Sequence, residues 1–152
     1  MDPIEIIRRF ENRHKALDRD LGGGPAWHDG SDAAALLALW WCVEPLVFNG
    51  GWPAVYYNRA GWAVELAARG YRLLGMNHAA KRCDLAATMV AKVEAAHPGH
   101  DFQSDTWLSS TLMQALDEAD WDQLDDGWFE LVGTTSEAMA KYIEQNMASD
   151  LS

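Results

Sequence analysis

The densest chemistry in this sequence lies in one acidic run, "LDEADWDQLDDGWFE", which supplies Asp117, Glu118, Asp120, Asp122, Asp125, Asp126 and Glu130. Carboxylates this close together could hold a divalent cation, work as acid–base pairs, or present a negative surface to basic side chains. The EF-hand pattern is excluded. That loop takes oxygen ligands at positions 1, 3 and 5, Gly at 6 and Glu at 12; a loop begun at Asp120 meets Leu124, Asp125 and Leu131 at the last three, and one begun at Asp122 meets Leu124 and Gly133 at 3 and 12. Leu116, Trp121, Leu124, Trp128, Phe129 and Leu131 lie between the acids. They are expected to anchor the segment on a core and hold the carboxylates as a fixed array whose task is to bind a partner. Trp107, Trp121 and Trp128 flank the array and are expected to be partly exposed, as aromatic rings are at interfaces.

A second cluster, "HPGHD", brings His97, His100 and Asp101 together, and imidazoles with a carboxylate can hold zinc. Pro-Gly at a helix end explains the segment without metal, and no further Cys or His cluster lies nearby, so no metal and no cofactor are expected. His78 follows a helix stop and is read as a surface or capping residue. There is no Gly-Lys dipeptide for a P-loop, no GxGxxG after a strand, no GxSxG elbow and no HExxH pair, so no catalytic residue is assigned. "GGGP", Gly22 to Pro25, lacks the flanking strand and helix start of a phosphate cradle and reads as a linker.

Charge sharpens the reading. Residues 1–100 hold 11 Asp+Glu and 11 Lys+Arg, whereas residues 101–152 hold 12 Asp+Glu and one base, Lys141, so the net charge of -11 belongs to the C-terminal third. A face that only keeps a protein soluble mixes signs; this one lacks interspersed bases, and like charges one helical turn apart, as at Glu118 and Asp122, each cost a few tenths of a kcal/mol. Direct binding to nucleic acid or to an anionic membrane is disfavoured, and basic partners are favoured. No apolar leader opens the chain, and its longest uninterrupted apolar run, Ala33 to Val43, suits a buried helix, so a cytoplasmic location is expected.

The elements that must position these residues read as helices. Ile4, Ile7, Phe10, Leu17 and Leu21 recur at mostly helical intervals after Pro3. Ser31 or Asp32 should cap a central helix from about Ala33 to Phe48, apolar nearly all round, with its last turns distorted by Pro45. In "FNGGWPAVYYN", Asn49 or Gly50 should close that helix in the left-handed conformation and Pro53 should open a short one, with Trp52, Tyr56 and Tyr57 packing inward. "GWAVELAARGYRLLG" and "NHAAKRCDLAATMVAKVEAAHPG" are helices ended by Gly or Pro-Gly. "HDFQSDTWLSS" is a loop into "TLMQALDEAD", "WDQLDDGWFELVG" gives one or two short turns, and "TSEAMAKYIEQNMASDL" opens like a capping box. Cys42 and Cys83 are expected as reduced core residues. The expected fold is a single compact all-α domain, residues 1–152, of about seven or eight helices.

The residues Glu44, Asn49, Gly50, Gly51, Trp52, Tyr56, Tyr57 and Asn58 form a pattern that resembles a bacterial domain-of-unknown-function family, one of whose members is a DNA-mimic protein. In that family a Glu stands five residues before Asn-Gly-Gly, an aromatic follows the glycines, and an aromatic pair with Asn closes the short helix. "GYRLLGMNHAAKR" and "YIEQN" extend the similarity over roughly Leu36 to Asn146. The family often carries Gln two residues after the aromatic; Ala54 stands there. The resemblance implies a small, mostly helical, non-enzymatic protein that forms a homodimer, and for the mimic member an acidic surface occupying the DNA-binding site of a transcription regulator. Two binding functions are therefore expected: a DNA mimic directed at a basic DNA-binding protein, or an immunity- or antitoxin-type inhibitor of a toxin. A metal-dependent enzyme ranks last.

Overall fold

A computed structural model describes residues 1–18, 30–98 and 107–152, and among them every regular element is helical, so the all-α expectation holds. The elements are α1 (Pro3–Arg13), α2 (Lys15–Asp18), α3 (Asp32–Leu37), a π segment (Ala38–Val43), α4 (Glu44–Gly50), α5 (Trp52–Tyr57), α6 (Trp62–Leu73), α7 (Asn77–Ala95), α8 (Trp107–Ala115), α9 (Glu118–Asp125), α10 (Trp128–Val132), α11 (Thr135–Asn146) and a closing 3-10 turn (Ala148–Leu151). The Gly22–Pro25 linker, His100 and Asp101 lie outside the described residues.

α3, the π segment and α4 run without interruption from Asp32 to Gly50 through the core. Ser31 is the N-cap, its Oγ accepting the Ala34 amide at 3.0 Å, and every residue from Ala33 to Leu39 is buried. This stretch has a mean hydropathy of 1.4, enough by length and composition for a membrane span, and more than half of it is buried inside the molecule, as in a core helix. Pro45 acts differently from expectation. The helix passes it and continues to Gly50, and the adjustment lies upstream: the π segment closes with the Glu44 amide donating to Leu39 O, a wider turn placed just before the residue that brings no N–H of its own.

α6 crosses this central helix at Gly70, where an added Cβ would lie 2.5 Å from Ala35 O and 2.7 Å from Leu39 Cδ2. Only glycine permits that approach, and it delivers the neighbouring Tyr71 into the core. α7 packs along α6, while α1 packs on α11 and on the 3-10 turn. α1 begins as expected, with Pro3 in its first turn and Asp2 accepting the Ile4 amide; its buried stripe is Ile6, Ile7 and Phe10, and Ile4, expected on that stripe, is exposed. Cys42 and Cys83 are buried reduced thiols, and burial raises the pKa of Cys83.

The C-terminal third departs most from the reading of its boundaries. α8 begins at Trp107, within the expected loop, and Leu116–Asp117 separates it from α9. α11 has no capping box: Thr134 makes no capping bond, and the Thr135 hydroxyl donates to Glu44 Oε1 at 2.6 Å instead. The capping box is at α9, where Asp117 Oδ1 accepts the Asp120 amide and Asp120 Oδ2 accepts the Asp117 amide, both at 2.9 Å.

Candidate protein-binding surface

α9 is short and its acids would repel one another, so its position depends on what lies beneath. Trp121 and Leu124, one turn apart, are buried, and Trp121 faces the Tyr56 ring at 6.2 Å. Gly127, with φ 72° and ψ 6°, turns the chain into α10. There Trp128 is buried edge-on against both Trp52, at 5.2 Å, and Tyr71, at 5.9 Å. Of the three tryptophans expected to be partly exposed, Trp121 and Trp128 are corrected, since both are buried anchors, and the Trp107 side chain lies outside the described residues. Leu116 and Leu131 pack partly buried against the core. Phe129, expected as an anchor, is 56% exposed.

The seven carboxylates of the array divide into two groups. Asp117 and Asp120 are engaged with each other's amides at the helix start, where negative charge also meets the favourable end of the helix dipole. Asp125 turns toward the core side and accepts the Trp52 amide through Oδ1 at 2.7 Å. Glu118, Asp122, Asp126 and Glu130 are exposed. The array is also less free of base than its sequence suggests. Arg82, from α7, reaches the end of α9 and donates to Leu124 O at 2.5 Å and Asp126 O at 2.8 Å, satisfying carbonyls that a helix end leaves open.

The Asn-Gly-Gly joint meets the acids here. Gly50 is helical, and the residue that takes positive φ is Gly51, at φ 74° and ψ -179°, a conformation essentially restricted to glycine. This corrects the expectation for Asn49 and Gly50. Gly51 leaves α5 with no side-chain cap of its own, and Asp125 serves instead, from far along the chain. A Cβ on Gly51 would lie 2.8 Å from Asp125 Oδ2. Pro53 sits in the first turn as expected, and Asn58 closes α5 by donating from Nδ2 to Ala54 O at 2.7 Å. Trp52 and Tyr56 are buried, but Tyr57 is 63% exposed, against the expectation that it packs inward.

Glu44 has a different setting. It is largely buried, and its Oε1 accepts from the Tyr71 hydroxyl at 2.8 Å and from Thr135, tying the central helix to α6 and α11. Burial raises its pKa, and the two hydroxyl donors oppose that rise. The pKa of Asp125 is raised as well, first by burial, with Asp122 and Asp126 adding to it and the Trp52 amide and Arg82 opposing.

His97 lines a separate cleft of about 360 Å³ with Lys92, Leu116 and Asp120, and its Nδ1 lies 2.8 Å from Val93 O. His78 is exposed. Among the described residues no group of three or more His, Cys, Asp or Glu is placed to hold a metal ion.

The exposed aromatics were not anticipated. Phe48, 73% exposed, meets Phe129 edge-on at 5.5 Å, beside the acids. In the sequence Phe48 ends an apolar helix and Phe129 sits between Trp128 and Glu130, so each resembles a core residue; only the helical phase shows otherwise. Compared with known proteins, residues 29–146 match a family model described as DMP19-like protein. No curated protein and no solved structure matches the chain.

Proposed function

The chain belongs to the DMP19-like family, and on that premise we propose that it is a non-enzymatic DNA mimic whose acidic surface occupies the DNA-binding face of a basic regulator. The observation that carries this reading is the set of exposed carboxylates, Glu118, Asp122, Asp126 and Glu130, on a segment fixed by buried Trp121, Leu124 and Trp128. Glu118 and Asp122 lie one helical turn apart, about 5–6 Å at Cβ, close enough to serve neighbouring Lys and Arg side chains. Because the helix holds them in place, little ordering is needed when a partner arrives. Attraction between exposed charges is screened by salt and acts mainly on association rate and on choice of partner.

The test is capture of partners from the native lysate at low salt, followed by competition with duplex DNA. Recovery of a DNA-binding protein that duplex DNA displaces is expected, with capture falling steeply as salt rises. Recovery of no such protein would sink the reading. A tightly held partner that DNA does not displace would point to the toxin-inhibitor alternative.

A further inference from the structure

Between α4 and the junction of α9 with α10 lies a cleft of about 260 Å³, walled by Val47, Phe48, Gly51, Asp125, Trp128 and Phe129. Phe48 and Phe129 stand in edge contact with most of each ring exposed, an arrangement that leaves apolar area in water beside a hollow. Asp125 provides the polar wall. Its Oδ1 holds the Trp52 amide, and its Oδ2 accepts no hydrogen bond among the described residues. Asp122 and Asp126 are near enough to act on it electrostatically, and Glu130 follows Phe129 directly. Arg82, the cation that also acts on Asp125, is bonded to Leu124 O and Asp126 O.

Aromatic rings next to a half-buried carboxylate make complementary halves of one recognition element. Ring faces attract a guanidinium, and a carboxylate accepts its N–H fork. A purely apolar knob would leave the second oxygen of Asp125 desolvated without a donor. A second copy of this chain would bring an equally acidic rim toward this one. We propose that the cleft receives an arginine side chain of a basic partner protein, the guanidinium on Asp125 and the side chain against the Phe48–Phe129 pair. This rests on the reading of the protein as a captor of basic partners and names the point where one partner residue anchors.

The test uses the isotopically labelled full chain, titrated at low salt with acetyl-Gly-Arg-Gly-amide and, in parallel, with the norleucine analogue. Saturable shifts at the Trp52 amide and the Trp128 indole with the arginine peptide alone are expected. Asp125→Asn, which keeps an oxygen for the Trp52 amide, and Phe129→Ala, at an exposed site, should each weaken binding about tenfold. Equal shifts with norleucine, or shifts along Glu118 and Asp122 that leave Trp52 unmoved, would overturn the proposal. So would a Phe129→Ala variant that changes self-association but not peptide binding, which would make a second copy the occupant. If the peptide binds here while lysate capture yields no DNA-binding protein, the mimic reading falls and the cleft stands; the reverse result removes the cleft alone.

Discussion

Glu44 and Asp125 are both carboxylates drawn partly out of water, and their surroundings give them opposite roles. Glu44 is the more enclosed of the two: one oxygen gathers hydroxyl donors from α6 and α11, and those bonds end inside the molecule even though the residue borders a surface cleft with Trp40, Pro45 and Phe48. Asp125 is open: one oxygen steadies the start of α5, and the rest of the group shares a rim with acids that face solvent. Burial among neutral donors makes an acid that joins helices. Half-burial with spare accepting capacity makes one that both joins helices and can meet a cation from outside.

Breaking the closed site should have the largest effect. Glu44→Ala strands the buried Tyr71 hydroxyl, at about 1–3 kcal/mol, and costs about 0.5–1.5 kcal/mol more for the bond lost by the Thr135 hydroxyl, which keeps Val132 O at 2.9 Å as an acceptor; urea unfolding should show a loss of that combined size, whereas Glu44→Gln keeps an accepting oxygen and should stay within about 1 kcal/mol of the parent. At the open site, Gly51→Ala forces a positive φ onto alanine and presses its Cβ on Asp125, for a loss of about 1–3 kcal/mol. Faster hydrogen exchange at the Trp52 amide would place that damage at the joint. Asp125→Ala removes the borrowed cap, at about 1 kcal/mol or less because the group is half in water, and Asp125→Asn should cost less again.

The pH response sharpens the same contrast. A carboxylate whose folded pKa is raised holds its proton more tightly folded than unfolded, so its charge opposes folding above the folded pKa. That penalty is relieved as pH falls through the folded value toward the ordinary 4.5. Parent protein should therefore gain stability relative to Glu44→Gln as the medium is acidified across that window, measured by paired urea titrations; a difference independent of pH would contradict the burial of Glu44. Smallest of all, Asp122→Asn and Glu130→Gln, at exposed positions, should leave stability within about 0.5 kcal/mol while flattening the salt dependence of partner capture.

Helices and their stops were legible because they depend on neighbours in sequence: Ser31 capping, Pro53 opening α5, and apolar residues on all sides of the central helix. Side-chain direction in the acidic segment was less legible. Trp121, Trp128 and Phe129 have similar compositional value, yet the first two fill the core and the third does not, because Gly127 resets the helical phase between α9 and α10. The bond between Asp125 and Trp52 spans 73 residues, and nothing in local spacing encodes it. Its one trace is negative: the joint offers glycine where a short helix would take Ser, Thr or Asp, so its amides needed an acceptor from elsewhere. The Asn-Gly-Gly joint and the acidic run, which look like separate features in the sequence, are two sides of one contact.

The π segment bears on how this chain can tolerate insertions and deletions. A wide turn holds a residue more than an α-helical turn would, and each residue of an α-helix advances the side chains by about 100°. Glu44 and Phe48, four apart, lie in one row downstream of it, Glu44 at the inner end and Phe48 at the outer. Loss of a single residue from Ala38–Val43, with α3 held in place, would let the wide turn close as an α-helical one and leave that row where it is, Glu44 on its two hydroxyls and Phe48 against Phe129, whereas loss of a residue from the α-helical turns on either side would swing the row a quarter-turn or more. That turn is thus the one place in the central helix where a change of a single residue can be absorbed without disturbing either the interior bond or the outer face.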